Sequence, residues 1–333
     1  MTTTPEFDQA RARVAGDRAL LREMYELMLL SREIDRVAGA ADAHWHACEG
    51  EEAVLAACYC GLRAGDWALP HYRGMLPAAA ARGADLRQLF AGLTGKLTSH
   101  SRGRYRSDVC APIEFKLIGL YSGALGPTLG YAAGVGLAAK LDGSESVAVA
   151  VFGDGTSSRG DFHEAVNLAA VLALPVVYVC QNNQFAISTP AASGVGARAI
   201  ADRGAAYGIP GVSTDGNDAI GLRAALELAL SRARRGDGPT LVEALTYRVA
   251  GHLVADKAPY RSAEDVADWR SRDPIARLRA HLIERGMLAQ DEDEALRRSL
   301  ASRADAAMAQ AGADPDPGPE VLGLDRVFAG SAA

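Results

Sequence analysis

Two continuous apolar runs restrict the fold of this chain more than any other feature. Val147-Ala148-Val149-Ala150-Val151-Phe152 and Val176-Val177-Tyr178-Val179-Cys180 carry no charged residue and no alternation that would mark a solvent face. Each therefore reads as a parallel strand buried on both sides. Between them, Phe162, Ala165, Val166, Ala169 and Leu172 keep helical spacing after Gly160, until Pro175 breaks the pattern. A Gly/Ala-rich helix over 126–140 precedes the first run, and a further helix over 219–234 leads to a third strand over 240–245. Strands alternating with helices predict an α/β fold, a doubly wound parallel sheet flanked by helices, whose ligand crevice lies off the carboxyl ends of the strands.

The flanks read differently. From Arg11 to about Ala41 one helix is expected, with Leu20, Leu21, Met24, Leu27, Met28 and Leu30 on a broad apolar face. A second helical run covers Glu51 to Leu62, and charged amphipathic helices cover Ala263 to Gln310. The expected division is an N-terminal helical arm over 1–45, an α/β domain over 46–262, and a C-terminal helical region with a flexible tail over 263–333. Thr98 to Pro112 is rich in Ser and Arg without a period, which predicts an exposed loop that orders on a ligand or partner.

Composition narrows the function. The 333 residues hold 35 Lys plus Arg against 41 Asp plus Glu, a net charge of -6, so no basic field exists to hold a nucleic acid. No run of 18 apolar residues occurs, and the opening residues Met1 to Asp8 lack a basic and an apolar signal region, so neither membrane nor export is expected. Five scattered cysteines without a Cys-x-x-Cys pair fit reduced thiols in a cytoplasmic protein.

Each buried run ends in polar chemistry. The first continues into Gly153-Asp154-Gly155-Thr156, and the second, after 26 residues between Gly155 and Asn182, into Gln181-Asn182-Asn183. Two glycines around an acid let the backbone approach an anion while the carboxylate holds a hard cation. An amide oxygen and a main-chain carbonyl are neutral ligands that magnesium accepts alongside phosphate. The helix that follows adds its positive end, so a diphosphate is the expected guest. A lone Gly-Asp-Gly is a commonplace turn; the spaced Asn pair makes it specific.

Together with Gly160, Glu164, Asn167, Leu174-Pro175 and Ala186-Ile187-Ser188-Thr189-Pro190, these residues resemble the cofactor signature of a known family. It is that of the alpha subunits of thiamine-diphosphate-dependent 2-oxo acid dehydrogenases, the pyruvate, branched-chain and acetoin types. The resemblance reaches Gly50-Glu51-Glu52-Ala53, Gly65-Asp66-Trp67 and Tyr72-Arg73 upstream, then Asp215-Gly216-Asn217-Asp218, Tyr247-Arg248, Gly251-His252 and Tyr260-Arg261-Ser262 downstream. It implies the thiamine-diphosphate-binding fold. It also implies that Asp154, the Asn183 side chain and the Phe185 carbonyl bind Mg2+, and that the amides of Gly155 and Thr156, with Tyr72 and Arg73, hold the diphosphate. Gly123 and Leu125 would belong to the loop under the aminopyrimidine, with Leu125 enforcing the bent cofactor.

His252 would lie beside the thiazolium ring, an imidazole whose ordinary pKa near 6.5 suits proton transfer. His46 matches an active-site histidine of the pyruvate members, with His44 as a second candidate. His71, His100, His163 and His281 read as structural or surface residues. Met75 and Leu76 stand where pyruvate and acetoin members have a histidine and a glycine, and Leu253 stands where animal members carry a regulatory serine. The implied activity is decarboxylation of a 2-oxo acid and acyl transfer to the lipoyl group of a separate acyltransferase. A beta subunit would complete an alpha2 beta2 heterotetramer and supply the missing glutamate. The alternatives are another thiamine-diphosphate lyase or transferase, of split-transketolase or acetoin-cleaving type, and a non-catalytic scaffold.

Overall fold

A computed structural model describes residues 4–120 and 125–322. The chain begins with α1 (Pro5–Gly16) and α2 (Arg18–Ala41). The sequence predicts one helix here, but Asp17 divides it: its side chain accepts the Leu20 N–H at 3.0 Å and caps the second helix where the first ends. There follow α3 (Glu52–Tyr59), the short strand β1 (Trp67–Leu69), α4 (Met75–Ala81) and α5 (Leu86–Leu93). The alternating unit then appears as α6 (Pro127–Leu141), β2 (Ala148–Gly153), α7 (Gly160–Val171) and β3 (Val176–Asn182). A ribbon of β4 (Phe185–Ala186) and β5 (Thr189–Pro190) and the single turn α8 (Ala191–Gly194) lead to β6 (Gly211–Asp215), α9 (Ala219–Arg234) and β7 (Thr240–Leu245). The C-terminal helices are α10 (Ala263–Ser271), α11 (Pro274–Glu284) and α12 (Gln290–Gly312).

The central sheet is parallel throughout, in the order β1-β2-β3-β7-β6. Its apolar strands alternate between two separate cores. Val149, Val151, Val177 and Val179 belong to one core with residues of α2, α3, α9 and α12, whereas Ala150, Phe152, Val176, Tyr178 and Cys180 belong to another with residues of α6 and α7. Both faces are covered, which is why these strands show no polar side. Chain order climbs from β1 to β3 and then returns, with β7 between β3 and β6. Residues that follow β1, β2 and β3 border one crevice off the carboxyl ends of the strands.

Two strands lie outside the sequence expectation. β1 is three residues long and is followed by Pro70, and β6 is a half-exposed edge strand of sequence Gly-Val-Ser-Thr-Asp, so neither needs an apolar run. The segment 98–112 is irregular as expected, yet it is packed rather than exposed. Ser99, Ser107 and Asp108 are buried. Ser107 donates to the Leu89 carbonyl, and Arg106 joins Asp108 at 2.9 Å to Asp42 at 2.6 Å. Its polar residues are internal fasteners. Among the described residues no helix is long and apolar enough to cross a membrane.

Asp66, fully buried, fastens the sheet to α9. Its oxygens accept the Val147 N–H at 3.0 Å, the Arg63 N–H at 2.9 Å and the Arg234 guanidinium at 2.5 Å. Asp66→Ala strands a guanidinium and two N–H groups together, and we expect about 3 kcal/mol of lost stability in denaturant unfolding. Asp66→Asn, which keeps one acceptor oxygen, is expected to lose less.

Candidate active site

β2 runs out at Gly153, and Asp154–Ser158 follows as a 3-10 turn before α7 begins at Gly160. The turn, rather than the helix, is thus what directly follows Asp154. The Gly155 N–H has no carbonyl partner within it. Asp154 is 2% exposed, and burial, reinforced by the nearby Glu51, pushes its carboxyl up to about 6. A Cβ on Gly155 would lie 2.5 Å from the Ala186 Cβ, so only glycine fits. The Thr156 hydroxyl is buried with no hydrogen-bond partner.

Past the end of β3 the chain turns sharply. Gln184 takes φ 71° and Ile187 φ 56°, left-handed conformations that are costly for a β-branched residue. Asn183 is buried; its Nδ2 donates to Glu51 Oε2 at 2.9 Å, and its Oδ1 accepts the Phe185 N–H at 3.3 Å. Asn182 points elsewhere, donating to Glu243 at 2.7 Å. The Phe185 carbonyl accepts from Arg248 Nη1 at 3.2 Å, so this expected cation ligand is already engaged by a guanidinium.

These groups share a cavity of about 360 Å³. Of the residues singled out from the sequence, Tyr72, Arg73, Leu125, Asp154, Gly155, Thr156, Asn183 and Phe185 line it. Gly123 lies outside the described residues. His71 and Arg159 line it too. His71, read from the sequence as structural or surface, is 5% exposed with its ring against Tyr72, centroids 4.0 Å apart. No motif flags Arg159, which faces the cavity from the last residue before α7. A larger groove of about 1000 Å³ runs along β6 between Phe7 and Trp269 and contains none of these groups.

Arg73 links the cavity to the two histidines. It is 1% exposed; Nη1 donates to the Ala47 carbonyl at 2.9 Å, and Nη2 to the His252 carbonyl at 3.0 Å while lying 3.2 Å from His252 Nδ1. A guanidinium only donates, so Nδ1 accepts and the His252 proton sits on Nε2. Burial and the charge of Arg73 push His252 down to about 4. It is therefore neutral at pH 7, with its pKa well below the ordinary 6.5. His46, pushed down to about 3 chiefly by burial, has its ring centroid 4.9 Å from that of His252 and 4.6 Å from that of Tyr72. The competing His44 faces solvent, its side chain 80% exposed. Neither His46 nor His252 is among the residues lining the cavity; His46 packs beside Tyr72, and His252 beside Arg73.

Their two loops are joined by backbone bonds, Val254 N–H to the Trp45 carbonyl at 3.0 Å and Ala255 N–H to the Ala43 carbonyl at 3.1 Å. Asp256 closes the second loop on itself by accepting the His252 N–H at 2.8 Å and the Tyr260 hydroxyl at 2.6 Å. Arg248, also missed by sequence reasoning except as part of a motif, is buried and donates to the Ile187 carbonyl at 2.6 Å and to Tyr260 at 2.7 Å.

A sequence profile described as the dehydrogenase E1 component matches residues 23–320. The chain is 38% identical over 280 residues to the 3-methyl-2-oxobutanoate dehydrogenase subunit alpha of Mycobacterium tuberculosis, covering 82% of this chain and 73% of that protein. It is 33% identical over 316 residues to the 2-oxoisovalerate dehydrogenase subunit alpha of Bacillus subtilis, covering 92% and 94%. To the pyruvate dehydrogenase E1 component subunit alpha of Rhizobium meliloti it is 34% identical over 304 residues, covering 88% and 86%. A profile match over most of the chain, with relatives similar along nearly their whole length and a crevice built by the shared motifs, makes this chain a member of the dehydrogenase E1 component family, among the alpha subunits of the 2-oxo acid dehydrogenases.

Proposed function

We propose that this chain holds thiamine diphosphate through Mg2+ and, with a separate beta subunit, decarboxylates a 2-oxo acid and passes the acyl group to the lipoyl group of an acyltransferase. In this reading residues 46–262 are the cofactor-binding unit, 1–45 and 263–333 are helical arms, and the protein is cytoplasmic. The observation that carries it is the meeting of Asp154, Asn183 and Arg73 in one cavity with a buried Thr156 hydroxyl that lacks a partner. The residues fit the group. Asp154, the Asn183 amide oxygen and the Phe185 carbonyl form an all-oxygen donor set with a single charge, which suits a hard cation that keeps phosphate oxygens as its remaining ligands. Arg73, Arg159, the Gly155 N–H and the Thr156 hydroxyl offer donors to a diphosphate.

When bound, thiamine diphosphate supplies a carbanionic carbon that adds to the keto group and accepts the electrons released as carbon dioxide leaves. The chain's own work is binding and polarity. Asp154 and Asn183 would hold the cation and Tyr72 and Arg73 the phosphates, while Leu125 would contribute an apolar wall. His252, held by Arg73 at Nδ1, presents Nε2–H as a neutral donor to developing negative charge on the substrate oxygen, and His46 stands beside it as a second imidazole. Asp154 is the one carboxylate among the described residues lining the cavity, and it is committed to the cation. The group that exchanges a proton with the aminopyrimidine is, as the family resemblance implies, a glutamate of the beta subunit. A partner's seat is supported by exposed apolar side chains on α6 and α7, where Tyr131 is 46%, Leu141 78% and Val171 74% exposed. An alpha2 beta2 assembly fits such a seat.

For Asp154→Ala in the assembled enzyme, isothermal titration is expected to give a cofactor affinity at least roughly a hundredfold weaker, about 3 kcal/mol; unchanged affinity refutes the metal assignment. For His252→Ala, acyl transfer to a lipoyl domain is expected to fall by about 100-fold to 10,000-fold with the melting temperature and assembly unchanged. Near-normal transfer, or a loss matched by failure to assemble, refutes the catalytic role.

The pH dependence has a definite sign. His252 is neutral in the folded chain down to about 4, so acidification from 6.5 protonates the unfolded chain first, and the imidazole's share of stability is lost as pH falls from 6.5 toward 4. We expect the pH profile of transfer to show no His252-dependent limb near 6.5. A limb there that disappears in His252→Asn contradicts the neutral-donor assignment.

A further inference from the structure

Glu51 is the buried charge that the proposed reaction leaves unused. It precedes α3 and is fully buried. Gly50 sets it there: φ is 91°, and a Cβ at that position would lie 2.8 Å from the Tyr247 carbonyl, so the chain can pass only as glycine. The adjacent Glu52 is tied to Arg32 at 2.5 Å. Glu51 has different partners: its Oε2 accepts from the Asn183 amide at 2.9 Å and from the Gln181 amide, and its Oε1 meets no donor.

An asparagine amide has a donor end and an acceptor end of nearly the same shape, exchanged by a half-turn about its last bond. A carboxylate only accepts, so contact with Glu51 selects the nitrogen end for itself. The Phe185 N–H, at 3.3 Å from Oδ1, selects the oxygen end on the other side. Gln181, 1% exposed and bonded to the same carboxylate oxygen, holds Glu51 from the sheet.

We propose that Glu51 is a positioning residue that fixes the Asn183 amide with its oxygen toward the divalent cation. The inference rests on the metal role assigned above to Asp154 and Asn183. Without Glu51 only the long Phe185 N–H contact at 3.3 Å holds the amide, and it more readily turns its NH2 toward the cation, where it repels. Partners that orient a metal ligand typically carry about 10-fold to 100-fold of the affinity.

The test is titration of the assembled enzyme, with thiamine diphosphate and no substrate, with Mn2+ followed by the electron paramagnetic resonance of the free ion. Glu51→Ala is expected to weaken Mn2+ binding by about 10-fold to 100-fold, whereas Glu51→Gln, whose side-chain oxygen can accept both amides, stays within about threefold of wild type. Adding Asn183→Asp to Glu51→Ala is expected to restore binding, because a carboxylate presents oxygen whichever way it turns. If Glu51→Ala does not assemble, Glu51→Leu fills the same volume without an acceptor and takes its place. Wild-type affinity in Glu51→Ala, equal losses in Glu51→Ala and Glu51→Gln, or no recovery in the double variant would each overturn the proposal. Asp154→Ala is the control: wild-type Mn2+ affinity there brings down the metal site itself, while its loss beside an unaffected Glu51→Ala brings down only the role of Glu51.

Discussion

The arrangement at the strand ends depends on keeping four charges out of water in one place. Asp154 and Glu51 are buried on the acidic side, and Arg73 and Arg248 on the basic side. An unpaired ion in such surroundings is costly, so each must be bonded or neutralised. The guanidiniums solve this by binding backbone: Arg73 takes the Ala47 and His252 carbonyls, and Arg248 takes those of Phe185 and Ile187. The loops around the crevice are thereby fastened to the charges. The carboxylates are less well served. One oxygen of Glu51 has no donor, and Asp154 holds its proton more tightly than an ordinary aspartate, which is the state a divalent cation relieves.

Arg73 has a double position in this scheme. It borders the cavity where a diphosphate fits, and it also determines which nitrogen of His252 carries the proton. Phosphate site and imidazole tautomer are consequently linked through one side chain. A lysine could not take its place, since a single ammonium lacks the fork that reaches Ala47 and His252 together.

Much of the sheet was legible because burial on both faces forces the sequence of a strand to be uniformly apolar. β2 and the apolar part of β3 satisfy that condition and announce themselves, as do the polar clusters at their ends, whereas β7 is legible although it carries a buried Glu243. β1 and β6 are short or half-exposed, and nothing in Trp-Ala-Leu or Gly-Val-Ser-Thr-Asp distinguishes them from loop. The helix break at Asp17 is a capping event whose residue type is equally common on exposed helical surfaces. At the site, motif resemblance brought out most residues that touch the cavity, though not His71 or Arg159, and gave no role to those that hold them. Glu51 and Arg248 entered only as members of quoted motifs, without a role, and only the fold reveals that they are buried. Thr98 to Pro112 misled for the same reason: its serines and arginines are bonded inward rather than solvated. His46 and His44 are indistinguishable by spacing and are separated only by which way the loop turns.

The backbone bonds between residues 43–45 and 254–255 carry a consequence for how this family diverges. Two segments more than two hundred positions apart in the chain are in register, so the length of each limits the length of the other. An insertion in the His46 segment, even one far from any ligand, would shift the frame in which His252 sits, and compensation would have to arise on the distant segment. Loop exchange between relatives of different substrate preference is therefore a paired operation: grafting the segment around His252 alone imports a loop without the loop it is bonded to, and the unit that can be transplanted is both segments together.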